Sequence, residues 1–223
     1  MRGGNNHIYC TEMKRKCKIF KIVKWILLVV LVVIVTFLIV RAIGKAIYNQ
    51  TPDGGINESM YIDVNGTKQW IHIYGKDIDN PVLLYLHGGP GLATSDIDYA
   101  FTRKWADAYT VVTWDQRNCG KSYDAEQNDI VLTRKLFMTD GKEVTEFLLN
   151  YLLKDKITIL GHSWGSIYGA NLVLEYPEYY ECFIGTEQLV DYLENEEAFR
   201  QEALLWAEGD EETLNLVNQL TPD

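Results

Sequence analysis

The most restrictive feature of this chain is an apolar run, Ile157 to Leu160, that leads directly into the motif Gly161-His162-Ser163-Trp164-Gly165. The run is typical of a buried strand, and the segment after the motif, up to Tyr176, is typical of a helix. A G-x-S-x-G motif at such a junction predicts a tight strand-to-helix turn that exposes the serine hydroxyl as a nucleophile. Because the turn crowds the backbone, Gly161 and Gly165 supply the small positions on either side of Ser163.

A second motif, His87-Gly88-Gly89-Pro90-Gly91, follows another strand-like apolar run, Val82 to Leu86. A loop this rich in glycine can bring a backbone amide close to a substrate carbonyl. We therefore predict an oxyanion hole formed by the amide N–H groups of Gly89 and Trp164. His87 and Gly88 are predicted to support it.

A third segment begins as a strand at Val111 and continues as the polar loop Asp115-Gln116-Arg117-Asn118-Cys119-Gly120-Lys121-Ser122. With HGGPG, DQRxxGxS and GHSWGS together, the chain resembles the prolyl iminopeptidase family of α/β-hydrolases, serine peptidases that remove N-terminal proline from peptides. The resemblance covers roughly Ile71 to Gly185. It implies an α/β fold with a mostly parallel sheet flanked by helices, followed by the start of a helical cap.

The resemblance also assigns roles to individual residues. It implies that Ser163 is the nucleophile, that Gly89 and Trp164 form the oxyanion hole, and that Asp115 and Arg117 brace the loops around the site. No cofactor is expected, and no spacing of cysteine and histidine predicts a metal site.

The family also needs an acid after a later strand and a histidine after the last one. The sequence contains four histidines, and each has a more ordinary structural interpretation: His7, His72, His87 and His162. In particular, His162 should point away from the nucleophile. Glu187 or Asp191 could supply an acid, but a serine without a base is a weak nucleophile. We therefore expect an N-terminal part of a hydrolase whose acid and base are lost or come from a second chain.

The N-terminal region contains a second strong signal. Trp25 to Val40 carries no charge, and Ile22 to Ile43 would span about 33 Å as a helix, long enough to cross a bilayer. Basic residues dominate the segment before it: Arg2, Lys14, Arg15, Lys16, Lys18, Lys21 and Lys24. This bias predicts a single-pass signal anchor with a cytoplasmic N-terminus and an extracytoplasmic hydrolase region. The alternative is a signal peptide cleaved near Ala42-Ile43-Gly44, which would release a secreted protein.

These signals predict five segments. They are a basic cytoplasmic tail (1–21), a transmembrane anchor (22–43), a linker (44–59), a hydrolase core (60–187) and the beginning of a cap (188–223). Residues 1–45 carry nine basic side chains and one acidic one, which gives them a net charge of +8. Because the net charge of the whole chain is −10, residues 46–223 carry a net charge of −18. An acidic exported region argues against nucleic acid as a partner.

One acidic cluster has two interpretations. Its members lie beyond the sixth predicted strand: Glu187, Asp191, Glu194, Glu196 and Glu197. The family resemblance implies that carboxylates of the cap hold the α-ammonium group of a peptide substrate. The alternative is a solvated helix face, which is the usual meaning of a charge run.

The remaining patterns predict connecting elements. Asn65-Gly66 between Met60–Val64 and Thr67–Tyr74 predicts a hairpin, and Asp140 with Glu143 predicts a capping box that opens a helix. A further strand is expected at Cys182–Gly185, with helices at Asn195–Ala207 and Glu211–Leu220. Cys119 and Cys182 follow or occupy strands that are not neighbours, so we expect no disulfide between them.

Three hypotheses for function follow. The first is a membrane-anchored peptidase of prolyl iminopeptidase type that acts on short peptides through an acyl-enzyme on Ser163. The second is an esterase or other amidase on the same scaffold, because the motifs set the chemistry but not the substrate. The third is a non-catalytic membrane protein.

Overall fold

The computed structural model describes the backbone of residues 4–219 and, apart from residues 4–17 and 19, their side chains. It separates into two units, one up to Gln50 and one from Thr51. The first unit is the helix α1 (Gly4–Tyr48). Its segment Phe20–Tyr48 contains an 18-residue stretch with a mean hydropathy of 3.2 and no buried residue, so by length and composition it could cross a membrane.

The second unit is built on one six-stranded sheet with the order β1-β2-β4-β3-β5-β6. The strands are β1 (Ile56–Val64), β2 (Thr67–Gly75), β3 (Val82–Leu86), β4 (Thr110–Asp115), β5 (Ile157–His162) and β6 (Tyr180–Thr186). The pairs β1–β2 and β2–β4 are antiparallel, whereas β4, β3, β5 and β6 run parallel to one another. The prediction of an α/β fold with a mostly parallel sheet is confirmed.

Burial explains why the central strands are continuous apolar runs in the sequence. Every residue of β3 and of β4 is buried, as expected for parallel strands covered on both faces. The helices of this unit are α2 (Tyr99–Trp105), α3 (Arg134–Tyr151), α4 (Trp164–Glu175), α5 (Tyr192–Trp206) and α6 (Glu211–Gln219).

The hairpin joins β1 and β2 where the sequence predicts it. Asn65 and Gly66 have φ angles of 44° and 77°, the left-handed conformation that a two-residue hairpin turn requires. β1 begins at Ile56, before the predicted Met60, because Ile56 still pairs with Gly75 at the end of β2.

The predicted capping box is wrong. Helix α3 begins at Arg134, and the side chain of Thr133 caps it by accepting a hydrogen bond from the N–H of Leu136 at 3.2 Å. Asp140 lies well inside the helix and is fully buried. Its carboxylate binds the guanidinium of Arg117 instead of free amides at a helix end.

Smaller shifts occur in the C-terminal part. β6 begins at Tyr180 instead of Cys182, and α5 begins at Tyr192 instead of Asn195 because Asp191 caps it. The predicted end of α6 at Leu220 lies outside the described residues. Cys182 on β6 and Cys119 in the loop after β4 are both free thiols, and β4 and β6 are not neighbours in the sheet, as predicted.

Candidate active site

Ser163 forms the sharp turn between β5 and α4. Its φ of 53° and ψ of −117° place a non-glycine residue in a sparsely populated backbone conformation. A side chain at Gly161 would collide with the carbonyl of Gly165, and one at Gly165 with the carbonyl of Leu86. The two glycines are therefore required by the close approach of β5, α4 and β3.

Backbone and side-chain hydrogen bonds hold this turn. The N–H of Ser163 donates to the carbonyl of Thr186 on β6 at 3.0 Å. The carbonyl of Ser163 accepts from the N–H of Ser166 at 2.8 Å and from its Oγ at 2.6 Å. Ser163 is thus held in a strained geometry by its neighbours, which is typical of a residue positioned for chemistry.

The glycine-rich loop after β3 lies directly against Ser163. Leu86 and Gly161 pair in the parallel ladder, so the two strands end at the same edge of the sheet. A methyl group on Gly88 would lie 3.3 Å from Cβ of Ser163. Gly89 has a φ of 121°, which favours glycine. The structure therefore brings together the two segments in which the sequence predicts the nucleophile and the oxyanion hole.

His87 is a buried structural histidine. Its Nδ1–H donates to the carbonyl of Gly88 at 2.9 Å, and its Nε2 accepts from the N–H of Gln116 at 3.3 Å. Burial lowers the pKa of His87, because desolvation disfavours the imidazolium. Both ring nitrogens are therefore occupied and the ring is neutral, as a supporting role for His87 requires.

The ring of His162 lies beside the glycine-rich loop after β3. Its ring would lie 3.5 Å from a methyl group on Gly88, on the side where Ser163 also approaches. Thr186 Oγ1 lies 3.2 Å from its Nδ1, and Glu187 Oε2 lies 3.5 Å from its Nε2. The end of β6 supplies these two partners, and they fix the ring beside the turn.

The described histidines are all engaged away from the serine hydroxyl. His72 on β2 contacts Asp98 Oδ2 at 2.8 Å and Asn57 Oδ1 at 3.2 Å. Among the described residues, the Oγ of Ser163 forms no hydrogen bond. The side chain of His7 lies outside the described residues. Within the described part, the site thus presents a serine hydroxyl without a bonded base.

Asp115 and Arg117 shape the loop after β4. Asp115 Oδ2 accepts from the N–H of Lys121 at 2.8 Å, and its carbonyl accepts from Ser122 Oγ at 2.5 Å. Arg117 binds Asp140 through two hydrogen bonds of 2.6 and 2.7 Å. Asp115 therefore closes its own loop, and Arg117 ties that loop to α3.

Gln116, which the sequence does not single out as a site residue, connects the loops. Its Oε1 accepts from Nε1–H of Trp164 at 3.2 Å, and its Nε2 donates to the carbonyl of His87 at 3.4 Å. The one sequence signal for this role of Gln116 was its position inside DQRxxGxS, because that motif follows β4, which lies next to β3 in the sheet.

The acidic cluster does not converge on one point. Asp191 accepts from the N–H of Glu194 at 3.0 Å and so caps α5, while Glu187 faces His162. Glu197 contacts Gln201 on the same helix. Within the described residues, no group of three or more side chains is arranged to hold a metal ion.

Comparisons with known proteins agree with this geometry. Residues 81–218 match the family model of the alpha/beta hydrolase fold. A probable aminopeptidase, YbaC of Bacillus subtilis strain 168, is 37% identical over 132 residues, which cover 58% of this chain and 41% of that protein. A proline iminopeptidase of Lactobacillus helveticus is 28% identical over 114 residues, covering 51% of this chain and 37% of that protein. The chain thus spans about two-fifths of the length of these relatives.

Solved structures show the same fold. A proline iminopeptidase-related protein from Thermus thermophilus superposes with a TM-score of 0.55 at 22% identity, covering 75% of this chain and 58% of that one. Carboxylesterase CesB from Bacillus subtilis gives 0.50 at 23%, covering 66% and 50%. Since the family model matches more than half of its residues, the chain belongs to the α/β-hydrolase fold family.

Proposed function

We propose that this chain carries the nucleophile and the oxyanion hole of an aminopeptidase-like serine hydrolase. The observation that carries the proposal is the strained turn at Ser163, with Gly88 of the glycine-rich loop packed against its Cβ. Relatives named as aminopeptidase and proline iminopeptidase support the substrate class, an N-terminal peptide bond.

The proposed chemistry is acyl transfer. The Oγ of Ser163 attacks the carbonyl carbon of the substrate's first residue, and the negative charge that develops on the carbonyl oxygen is stabilised by the N–H groups of Gly89 and Trp164. The C–N bond then breaks, the amine leaves with a proton, and water hydrolyses the acyl-enzyme. Trp164 begins helix α4, where the helix dipole also favours negative charge.

The hydroxyl proton of Ser163 needs an acceptor. The described histidines have other partners, so we propose that a base and its orienting acid come from polypeptide outside these residues, such as a second chain. Without them, the serine retains only the rate that the oxyanion hole and binding provide, which is about a thousandfold or more below a complete triad.

We further propose that α1 anchors the hydrolase unit in a membrane. Its apolar segment Phe20–Tyr48 follows a basic flank, and this charge bias favours a cytoplasmic N-terminus and a hydrolase unit outside the cytoplasm. Protease added to intact cells should then remove the hydrolase unit and leave the tail protected. Release of a shortened protein into the medium would support signal cleavage instead.

Single-turnover acylation tests the proposed function. The full chain in detergent is incubated with a prolyl p-nitrophenyl ester whose amine is free, with its N-acetyl counterpart, and with a simple alkanoyl ester, and the acyl adducts are mapped by mass spectrometry. We expect slow acylation of Ser163, fastest with the free amine, and none in the Ser163→Ala control.

The alternatives give different results in the same experiment. Equal acylation by all three esters would favour an esterase. Acylation of the Ser163→Ala control at the wild-type rate, or of no residue by any ester, would refute a role for Ser163 as nucleophile and leave the non-catalytic alternative.

A further inference from the structure

We propose that Gln116 is a positioning residue that sets the spacing between the two proposed oxyanion donors, Gly89 and Trp164. The inference rests on the proposed function and deepens it. Gln116 forms no hydrogen bond with Ser163 among the described residues. It acts through His87 on one side and through the indole of Trp164 on the other.

Three hydrogen bonds carry this proposal. The backbone N–H of Gln116 donates to His87 Nε2 at 3.3 Å, and its side-chain Nε2 donates to the His87 carbonyl at 3.4 Å. Its Oε1 accepts from Nε1–H of Trp164 at 3.2 Å. Gln116 is 1% exposed, so water does not compete for these bonds. One amide group therefore joins the loop after β3 to the first residue of α4.

The bridge itself is held from both sides along the chain. Asp115 is bound to the N–H of Lys121, and Arg117 is bound to Asp140 on α3. Both chain neighbours of Gln116 are therefore held by hydrogen bonds. Because Gln116 directly follows the end of β4, we take it as the fixed point between the two loops.

The two partners of the side chain make the bridge directional. The carbonyl oxygen of His87 can only accept a hydrogen bond, and Nε1–H of Trp164 can only donate one. The side chain at position 116 must therefore donate to the His87 side and accept from the Trp164 side. Glutamine does both, whereas the side chain of glutamate can accept but not donate and that of leucine can do neither.

Hydrogen exchange of the full chain in detergent tests the bridge without requiring a reactive serine. In Gln116→Leu, we expect amide exchange to increase about tenfold or more in both segment 86–92 and segment 161–166. In Gln116→Glu, we expect the increase in segment 86–92 alone, because the acceptor for Trp164 Nε1–H is kept. Gln201→Leu, on the exposed face of α5, is the matched control and should change neither segment.

A fluorophosphonate probe provides the second measurement, because its phosphonyl oxygen occupies the oxyanion hole during attack by Ser163. Displacing one donor should lower the labelling rate of Gln116→Leu about tenfold, which is less than the hundredfold or greater loss that follows complete removal of a donor. Gln201→Leu should label at the wild-type rate.

The two measurements separate the possible failures. Unchanged exchange in both segments of Gln116→Leu would show that there is no bridge. An equal increase in exchange in both segments of Gln116→Glu would show that Gln116 acts by packing alone. Either result overturns the proposal. Altered exchange with an unchanged labelling rate also overturns it. If the wild type is not labelled at all, the proposed function fails, while the exchange pattern still decides whether Gln116 sets the spacing of the two segments.

Discussion

Replacement of Asp140 by alanine should unfold this protein far more readily than its position in a helix suggests. The side chains of Arg117 and Asp140 are 3% and 0% exposed and form two hydrogen bonds. Gln69 Nε2 and Asn65 Nδ2 also donate to the Asp140 carboxylate, at 3.0 and 2.9 Å. The substitution therefore leaves a buried guanidinium without its counter-charge and the Asn65 amide without this acceptor, while Gln69 Nε2 keeps only its bond to Thr67 Oγ1 at 3.1 Å.

The magnitude follows from this geometry. Breaking a buried ion pair by removing one partner costs about 3–5 kcal/mol, and we expect a loss of about 4 kcal/mol in the free energy of unfolding. For a unit of this size, that lowers Tm by about 10 °C. The matched control is Asp63→Ala, because the Lys68–Asp63 pair is 68% and 84% exposed and should contribute less than about 1 kcal/mol.

Thermal unfolding of the full chain in detergent, followed by circular dichroism, provides the comparison. Adding Arg117→Met to Asp140→Ala should cost less stability than Arg117→Met costs alone. The reason is that each single variant leaves one buried charge unpaired, whereas the double variant leaves none. A loss in Asp140→Ala no larger than that in Asp63→Ala would show that the buried pair does not hold the β4 loop to α3.

Further predictions concern buried groups and the turn. Burial raises the pKa of the Cys119 thiol to about 12, so at about pH 8 its thiolate is about a thousandfold scarcer than that of a thiol whose pKa is 9.0. Iodoacetamide should therefore alkylate the exposed Cys182 before Cys119 in the native protein, and both cysteines after denaturation. Because burial lowers the pKa of His87, the folded state binds fewer protons than the unfolded state. Stability should therefore be full above about pH 6.5 and decrease below it, and His87→Gln should lose this component of the change in Tm. Gly165→Ala should lower the free energy of unfolding in urea by about 2 kcal/mol or more, because its methyl group would meet the carbonyl of Leu86 at the end of β3. Gly44→Ala is the control, since its methyl group would enter open space and should not destabilise the protein.

The parts of the fold that local sequence determines were predictable. The turn residues Asn65 and Gly66 impose left-handed φ angles, so the hairpin follows from two adjacent positions. The strand β3 follows from an uninterrupted apolar run that ends before a glycine-rich loop. The nearness of that loop to Ser163 also follows, because parallel strands end at one edge of a sheet.

Features that depend on distant partners were not predictable. Asp140 fits a local capping pattern, but its partner Arg117 lies 23 residues away, and only burial of that charge explains why the carboxylate turns into the core. The bridge through Gln116 joins residues that are 29 and 48 positions from it. The orientation of His162 depends on β6, whose pairing with β5 places Thr186 and Glu187 beside the ring.

The role of Ser163 is decided by identifying, with mass spectrometry, the side chain that a fluorophosphonate modifies in the full chain. We predict a single adduct on Ser163 that forms slowly, is abolished by Ser163→Ala, and is accompanied by no turnover of prolyl or ester reporters by this chain alone. A modification on another residue would contradict the assignment of Ser163 as the nucleophile. Rapid labelling of Ser163 with sustained turnover would contradict the claim that its base lies outside these residues.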